Sequence, residues 1–252
     1  MGESYWSRAI ELNEEYLRKI DSQDKETLSL LTARYTELMD TLQGRILELA
    51  QLNNMTPDQV RLSGVYLDYL DVLERRMQAF GLYSENLISN KQHLYVQMGL
   101  RFTQRTISLV DVNFQKLNIQ ALDFLIGSSA DGGRLYDLLV KSYPDTVDRI
   151  TKTLIESVAI GRNPRATARL INMDMAGNLS RALRISRTET IMAYREASRQ
   201  QMLVSGLVKE WERIEQDDAC TFCSERNGKR YPLDTVFETH PNCRGTMIPV
   251  IG

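Results

Sequence analysis

The soft ligands of this chain lie in one stretch: all three cysteines, and one of the two histidines, fall within CTFCSERNGKRYPLDTVFETHPNCRG, residues 220–245. The spacing is Cys220-x2-Cys223, sixteen residues, then His240-x2-Cys243. Tetrahedral zinc sites are commonly assembled in this way, each close pair coming from a tight turn and the ion closing the loop between them. Three thiolates and one imidazole fill four positions and leave none for a substrate water, so the pattern points to a structural ion. Zinc can supply roughly 10–16 kcal/mol of apparent binding free energy to a short segment. Two other readings compete. The cysteines could be small hydrophobes in a miniature core with His240 on the surface, or a cysteine could act as nucleophile, or the metal site be open, with His240 in a catalytic role. Glu225, the acid near the first pair, lacks the position two residues after a ligand histidine that zinc deaminases use. A glycine-rich phosphate loop and a GxSxG elbow are also absent.

Short β segments must position this cluster. Beyond Gly206 the chain reads LVKEWERIE, KRYPL and GTMIPVIG, aromatic or β-branched stretches separated by turns such as Asn227-Gly228. Upstream, apolar residues recur at helical spacing: Ile10, Leu12, Tyr16, Leu17 and Ile20, then Leu28, Leu31, Tyr35, Leu38, Leu42 and Ile46. The polar run DSQDKET between the two sets reads as a break or as a turn of one long helix. Asn53-Asn54 interrupts the pattern. Thr56-Pro57-Asp58 is an N-cap followed by proline at the first helical position, which opens a helix to about Phe80 with Gly81 at its end. Further helices are expected over about 85–108 and 111–126, and GSSADGG at 127–133 reads as a linker. Pro144 opens a helix that closes near Gly161, and Asn163-Pro164 starts a short one ending near Asn172, with a turn at 174–178. Ser186-Arg187-Thr188-Glu189 fits a capping box whose helix ends at Gly206. The expected fold is mainly α, with long helices in an elongated body and a small α+β zinc-binding C-terminal domain. Its divisions are a helical region 1–126, a linker 127–143, a helical segment 144–206 and a β-containing zinc-knuckle tail 207–252.

Composition agrees with a folded chain: 42% hydrophobic, 25% charged, and only six prolines, few enough for long helices. No run approaches the roughly 18 apolar residues that span a bilayer, and no basic-then-apolar leader pattern opens the chain. Met1-Gly2 begins like a myristoylation signal, but Trp6 stands where Ser or Thr is required. No membrane association is expected, and cysteines in metal-type spacing indicate a reducing compartment. The net charge of −2 conceals an asymmetry: residues 149–199 hold ten basic and four acidic side chains, residues 1–148 fifteen and twenty-one. The basic block includes Arg162, Arg165, Arg169, Arg181, Arg184, Arg195 and Arg199. Such a block suits contact with nucleic acid or an acidic protein surface, and equally a solvated helix face.

The C-terminal third resembles the phage Mu F-like, or minor head protein, family of tailed bacteriophages. A helix opening Arg187-Thr188-Glu189 is followed by a strand carrying Trp211, then Asp217-x-x-Cys220-x-x-Cys223, a Gly228-Lys229 turn, and His240-Pro241-Asn242-Cys243-Arg244. IESVAIGRNPRATARLI, 155–171, is similar to the family's preceding helix–Gly-x-x-Pro–helix segment, and YWSRAIELNEEYLRK resembles the start of many members. The resemblance covers about 144–252 well, 1–50 loosely and 55–140 hardly at all. Gly245 departs from the Cys-Arg-Cys ending that the family often has. The resemblance implies a structural, non-enzymatic virion protein without a small-molecule substrate, placed inside the head near the portal vertex after assembly in the host cytoplasm. Its implied partners are the oligomeric portal protein, coat or scaffold protein, and DNA; some members are implicated in DNA packaging or ejection. Within the motif, Glu189 is expected to satisfy a helix start and Arg187 to bridge that helix to the zinc-bearing tail. A zinc-containing protein acting on phage DNA is the alternative.

Overall fold

Apolar residues three and four apart build three long helices. The computed structural model describes residues 3–49 and 55–252, so the expected interruption at Asn53-Asn54 and the Met1-Gly2 start lie outside it. In chain order the elements are α1 (Glu3–Leu49), α2 (Pro57–Arg61), α3 (Gly64–Ile107), a 3-10 segment (Ile119–Leu125), α4 (Leu135–Val140), α5 (Tyr143–Ala159), α6 (Pro164–Ser205), β1 (Val208–Ile214), α7 (Thr221–Ser224), β2 (Arg230–Pro232) and β3 (Thr246–Ile251). The chain is thus mainly helical, with one small antiparallel sheet in the order β2-β1-β3 near its C-terminus. None of the described helices is long and apolar enough to cross a membrane.

Several expected boundaries are absent, each for a packing reason. DSQDKET does not break α1. Its polar residues meet polar partners instead: Lys91 Nζ donates to Gln23 Oε1 (2.7 Å) and Glu26 Oε2 (2.8 Å), and the Tyr95 hydroxyl donates to Asp24 Oδ1 (2.6 Å). Gly81 lies inside α3 and ends nothing. A Cβ there would come within 2.9 Å of Val140 Cγ1, so the glycine lets α4 lie close against α3. The expected helix over 111–126 is replaced by irregular chain and the 3-10 segment. Asp111 Oδ1 accepts from the Asn113 N–H (2.8 Å), Asn118 Oδ1 from that of Gln120 (3.2 Å), and Gln201 Oε1 from that of Leu117 (2.8 Å). Side-chain acceptors of this kind offer the backbone an alternative to helix. The expected turn at 174–178 and the capping box at Ser186 both lie inside the uninterrupted α6, which ends as expected before Gly206 (φ 70°).

The chain divides into two compact units, each assembled from separate segments. The second comprises Leu28–Asn86 and Arg134–Leu183. Its core is a set of stripes: Leu31, Leu38, Leu42 and Ile46 of α1, Tyr66, Tyr69, Leu73 and Met77 of α3, and Ile150, Leu154, Ile171 and Met175 of α5 and α6. Spacings of three and four put each set on one helix face. Tyr35 and Phe80 meet edge to face, 5.0 Å between centroids. At α2 the expected Thr56 cap is formed as a capping box, with Gln59 returning its side chain to the cap N–H.

The first unit comprises Met1–Thr27, Leu87–Gly133 and Arg184–Gly252. Here the sheet and the helices share one core: Tyr16, Tyr95, Phe102, Tyr194, Trp211, Phe237, Met247 and Ile248 belong to a single buried cluster, together with Cys223 and Cys243. All of β3 is buried. Its polar atoms are matched by α1, since the Tyr5 hydroxyl donates to the Pro249 carbonyl (2.7 Å) and the Thr246 hydroxyl to Asn13 Oδ1 (2.9 Å). Trp211 pairs across the sheet with Tyr231 and Pro249, and its ring stacks on Tyr231 at 4.6 Å.

Candidate metal centre

Two tight turns present the ligands. Cys220 precedes the single turn of α7 and Cys223 lies on it, with the Cys223 N–H donating to the Cys220 carbonyl (3.0 Å). Residues three apart on a helical turn face the same way. The second pair is closed by the Cys243 N–H donating to the His240 carbonyl (3.1 Å), and Asn242 takes the positive φ of 66° that this turn requires. Asparagine tolerates that conformation better than most residues.

The two turns converge. His240 Nε2 lies 3.3 Å from Cys220 Sγ and 3.1 Å from Cys223 Sγ, and the Cys223 and Cys243 sulfurs are 3.6 Å apart. An ion bound tetrahedrally at about 2.3 Å to sulfur and 2.0 Å to nitrogen needs ligand separations of about 3.8 Å (S to S) and 3.5 Å (S to N). These three spacings are within a few tenths of an ångström of those values; Cys220, Cys223 and His240 form one close group, and Cys243 joins Cys223 and Glu215 in a second. His240 is oriented for ligation, because its Nδ1 lies 2.9 Å from the Pro241 carbonyl. A carbonyl can only accept, so Nδ1 carries the proton and Nε2 presents its lone pair to the sulfurs. The four residues could therefore hold a metal ion.

Around the sulfurs lies a ring of buried charge that the sequence reading missed. Arg195 of α6 is only 2% exposed. It donates from Nη2 to Cys243 Sγ (3.2 Å) and to the Cys243 carbonyl (3.2 Å), from Nε to the Gly245 carbonyl (2.8 Å), and from Nη1 to Thr239 Oγ1 (3.0 Å). Arg213 of β1, 1% exposed, donates to Cys223 Sγ (3.4 Å), to the Glu238 carbonyl (2.7 Å) and to Glu215 Oε1 (2.5 Å). Both guanidinium carbons lie 4.1 Å from the centroid of Phe237. Burial pushes the Cys223 thiol up to about 12, and its contact with Cys243 adds to that. Burial acts the same way on Cys243, but the Arg195 guanidinium, the Gly245 N–H and the Thr239 hydroxyl together carry that thiol below its ordinary range.

The motif residues fall into place unevenly. Trp211 is the centre of the sheet's core, and the Gly228 N–H donates to the Arg213 carbonyl (2.7 Å) while the Lys229 carbonyl accepts from Arg213 (2.9 Å), closing the β1–β2 turn. Asp217 is exposed ahead of the first cysteine. Ser186 caps nothing: it is buried within α6 and its carbonyl accepts from the Thr190 hydroxyl. Glu189 satisfies no helix start, since its carboxylate accepts the Ala130 N–H (2.7 Å). Arg187 does not reach the tail and instead faces Asp24 of α1 at 3.4 Å. The bridge from this helix to the tail is made by neighbouring residues, Thr188 accepting the Asn242 N–H (3.2 Å) and Arg195 binding the 243–245 carbonyls. Arg244 pairs with Asp21 of α1.

The arginines of the basic block differ in exposure and in partners. Arg195 is buried against the sulfurs and is unavailable as a contact for DNA or a partner. Arg199 is held by both oxygens of Glu196 (2.6 and 2.9 Å), Arg181 donates to the Leu138 carbonyl (2.9 Å), and Arg162 to Ser157 Oγ (3.2 Å). Arg165, Arg169 and Arg184 are exposed.

Gly245 has a local cause. A Cβ at this position would run into the Glu215 carboxylate, so the space a side chain would fill is taken by the partner of Arg213. One signal for the missed charges was available. Arg213 is two residues from Trp211 on β1, so it shares the inward face and puts a charge where an apolar residue is expected.

No protein-family model matches this chain, and neither a curated protein nor a solved structure matches it.

Proposed function

We propose that this chain is a structural, non-enzymatic minor head protein of a tailed bacteriophage, of the Mu F-like kind, in which a zinc ion on Cys220, Cys223, His240 and Cys243 fixes the C-terminal fold. The observation that carries the structural half is the convergence of the two turns, with His240 Nε2 against the Cys220 and Cys223 sulfurs and the Cys243 sulfur 3.6 Å from that of Cys223. A centre so filled keeps no position for a substrate water, unlike catalytic zinc sites with three protein ligands. The viral half rests on the ordered motif from Arg187 to Arg244. Its setting is the portal vertex inside the head, reached from the host cytoplasm during assembly, with the portal protein as partner and coat or scaffold protein beside it.

Co-expression with a portal protein from the same genome tests that setting. A stable complex, and the chain's presence in purified virions by quantitative mass spectrometry, is the expected result. Virions that lack the chain overturn it. The DNA-binding alternative is weakened by the burial of Arg195 and the pairing of Arg199 with Glu196. It predicts binding to duplex DNA that falls steeply with salt, because binding releases counterions.

A further inference from the structure

The buried charges around the sulfurs can be counted against those of a metal centre on the three cysteines. With all four residues as metal ligands, three thiolates carry three negative charges and Glu215 a fourth, Arg195 and Arg213 supply two positive ones, and a ligating imidazole adds none. Two negative charges are left over, and one divalent cation cancels them. Folded interiors avoid uncompensated charge of either sign.

We infer that Arg195 and Arg213 are fixed counter-charges for a metal centre of net charge minus one, which tunes the site for a divalent ion over a monovalent one. The inference rests on the metal reading above. A monovalent soft ion such as Cu(I) on the same three thiolates would give a centre of charge minus two and leave the surroundings one positive charge short. Glu215 is the adjusting residue. It is bound to Arg213 at 2.5 Å, with its side chain 3% exposed, and its carboxylate lies within 4.8 Å of the Cys223 and Cys243 sulfurs. Its carboxylate fixes the charge that the arginines have left over for the thiolates. Because Arg195 donates directly to Cys243 Sγ and Arg213 to Cys223 Sγ, each counter-charge also orients one ligand.

The test is chelator competition on the full chain with Zn(II), Co(II) and Cu(I) as probes. Arg195→Met should weaken Zn(II) binding about 10- to 100-fold, the range for loss of an outer-shell partner. Arg195→Lys should keep most of the affinity. Arg195→Met with Glu215→Gln, which restores neutrality, should recover at least about tenfold of the loss. Glu215→Gln alone leaves the arginines and an acceptor for Arg213 in place, and should raise the Cu(I)-to-Zn(II) affinity ratio about tenfold. The Co(II) thiolate charge-transfer band should shift in Arg195→Met, reporting the lost hydrogen bond to sulfur. If Arg195→Met does not fold, the ratio in Glu215→Gln decides: an unchanged ratio overturns the inference. Unchanged Zn(II) affinity in a folded Arg195→Met, or no recovery in the double variant, also overturns it. A wild-type chain that binds none of the three ions instead overturns the metal reading on which it rests.

Discussion

The helical unit of Leu28–Asn86 and Arg134–Leu183 and the C-terminal tail bury different things. The first buries stripes of leucine, isoleucine and tyrosine at helical spacing, with buried polar pairs such as Thr146 and Asn178 bonded to each other. The tail, 207–252, with Arg195 of α6 against it, buries two arginines, a glutamate and two cysteines within a few ångströms of one another. Apolar stripes tolerate exchange of one residue for another of similar volume. A buried charge or ligand tolerates almost none, because removing one member leaves the others uncompensated. The two regions should therefore fail in different ways.

Removing the metal or a ligand is the largest perturbation expected. Cys223→Ala, or dialysis against a strong chelator, should abolish metal binding and forfeit a stabilisation on the order of 10 kcal/mol within the tail. Limited proteolysis should then cut first between residues 215 and 245, while far-ultraviolet circular dichroism keeps most of its helical signal. Loss of helix in step with the tail would break the distinction between the regions.

Core truncations sharpen it. Trp211→Ala removes the ring stacked on Tyr231 and Phe237 and should cost about 3–5 kcal/mol in denaturant melts. It should also reduce metal retention, since Phe237 carries both arginines. Leu73→Ala, fully buried in the helical unit, should cost about 2–5 kcal/mol and leave metal content unchanged. Metal loss in Leu73→Ala would contradict the assignment of separate stabilising causes.

Thr188→Ala takes away the acceptor for the Asn242 N–H at the His240–Cys243 turn, and should cost about 0.5–1.5 kcal/mol. Faster metal release to a chelator, without change in the helical melt, would mark its effect as local.

The smallest effect concerns Glu189. Burial raises its folded-state pKa above the ordinary carboxylate value, and the Ala130 N–H offsets this only in part. The native chain therefore holds that proton more tightly than the unfolded chain. Stability is full below the ordinary carboxylate range and declines as pH rises through it to the folded value. Glu189→Gln should then raise the melting temperature by roughly 1–3 °C at neutral pH and by nothing near pH 3. Equal melting at both pH values would show that burial does not penalise this carboxylate.

The ligands and strands were legible in the sequence because their signals are local. Cys220-x2-Cys223 and His240-x2-Cys243 each form within one turn, and Asn227-Gly228 ends a short strand pair. The Thr56 and Pro144 helix starts were legible for the same reason. Helix continuity was not. Gly81 resembles a terminus in isolation, yet α4 packs over it; Ser186 and Glu189 have capping-box spacing, yet the helix already runs through them. The polar 21–27 run is helical because partners 65 and more residues away meet it. Arg195 reads as part of the basic block and Arg213 carries no mark of its place, since nothing adjacent to them in sequence announces a sulfur. Charges buried by tertiary contact are legible only once strand facing and helix facing are combined.

The most direct measurement is native mass spectrometry of the full chain purified under reducing conditions without chelator, with elemental analysis of the same sample. One divalent ion per chain, with all three cysteines protected from a thiol reagent until a chelator is added, is the predicted result. A folded chain of apo mass, with Cys220, Cys223 and Cys243 all reacting freely, would contradict the account.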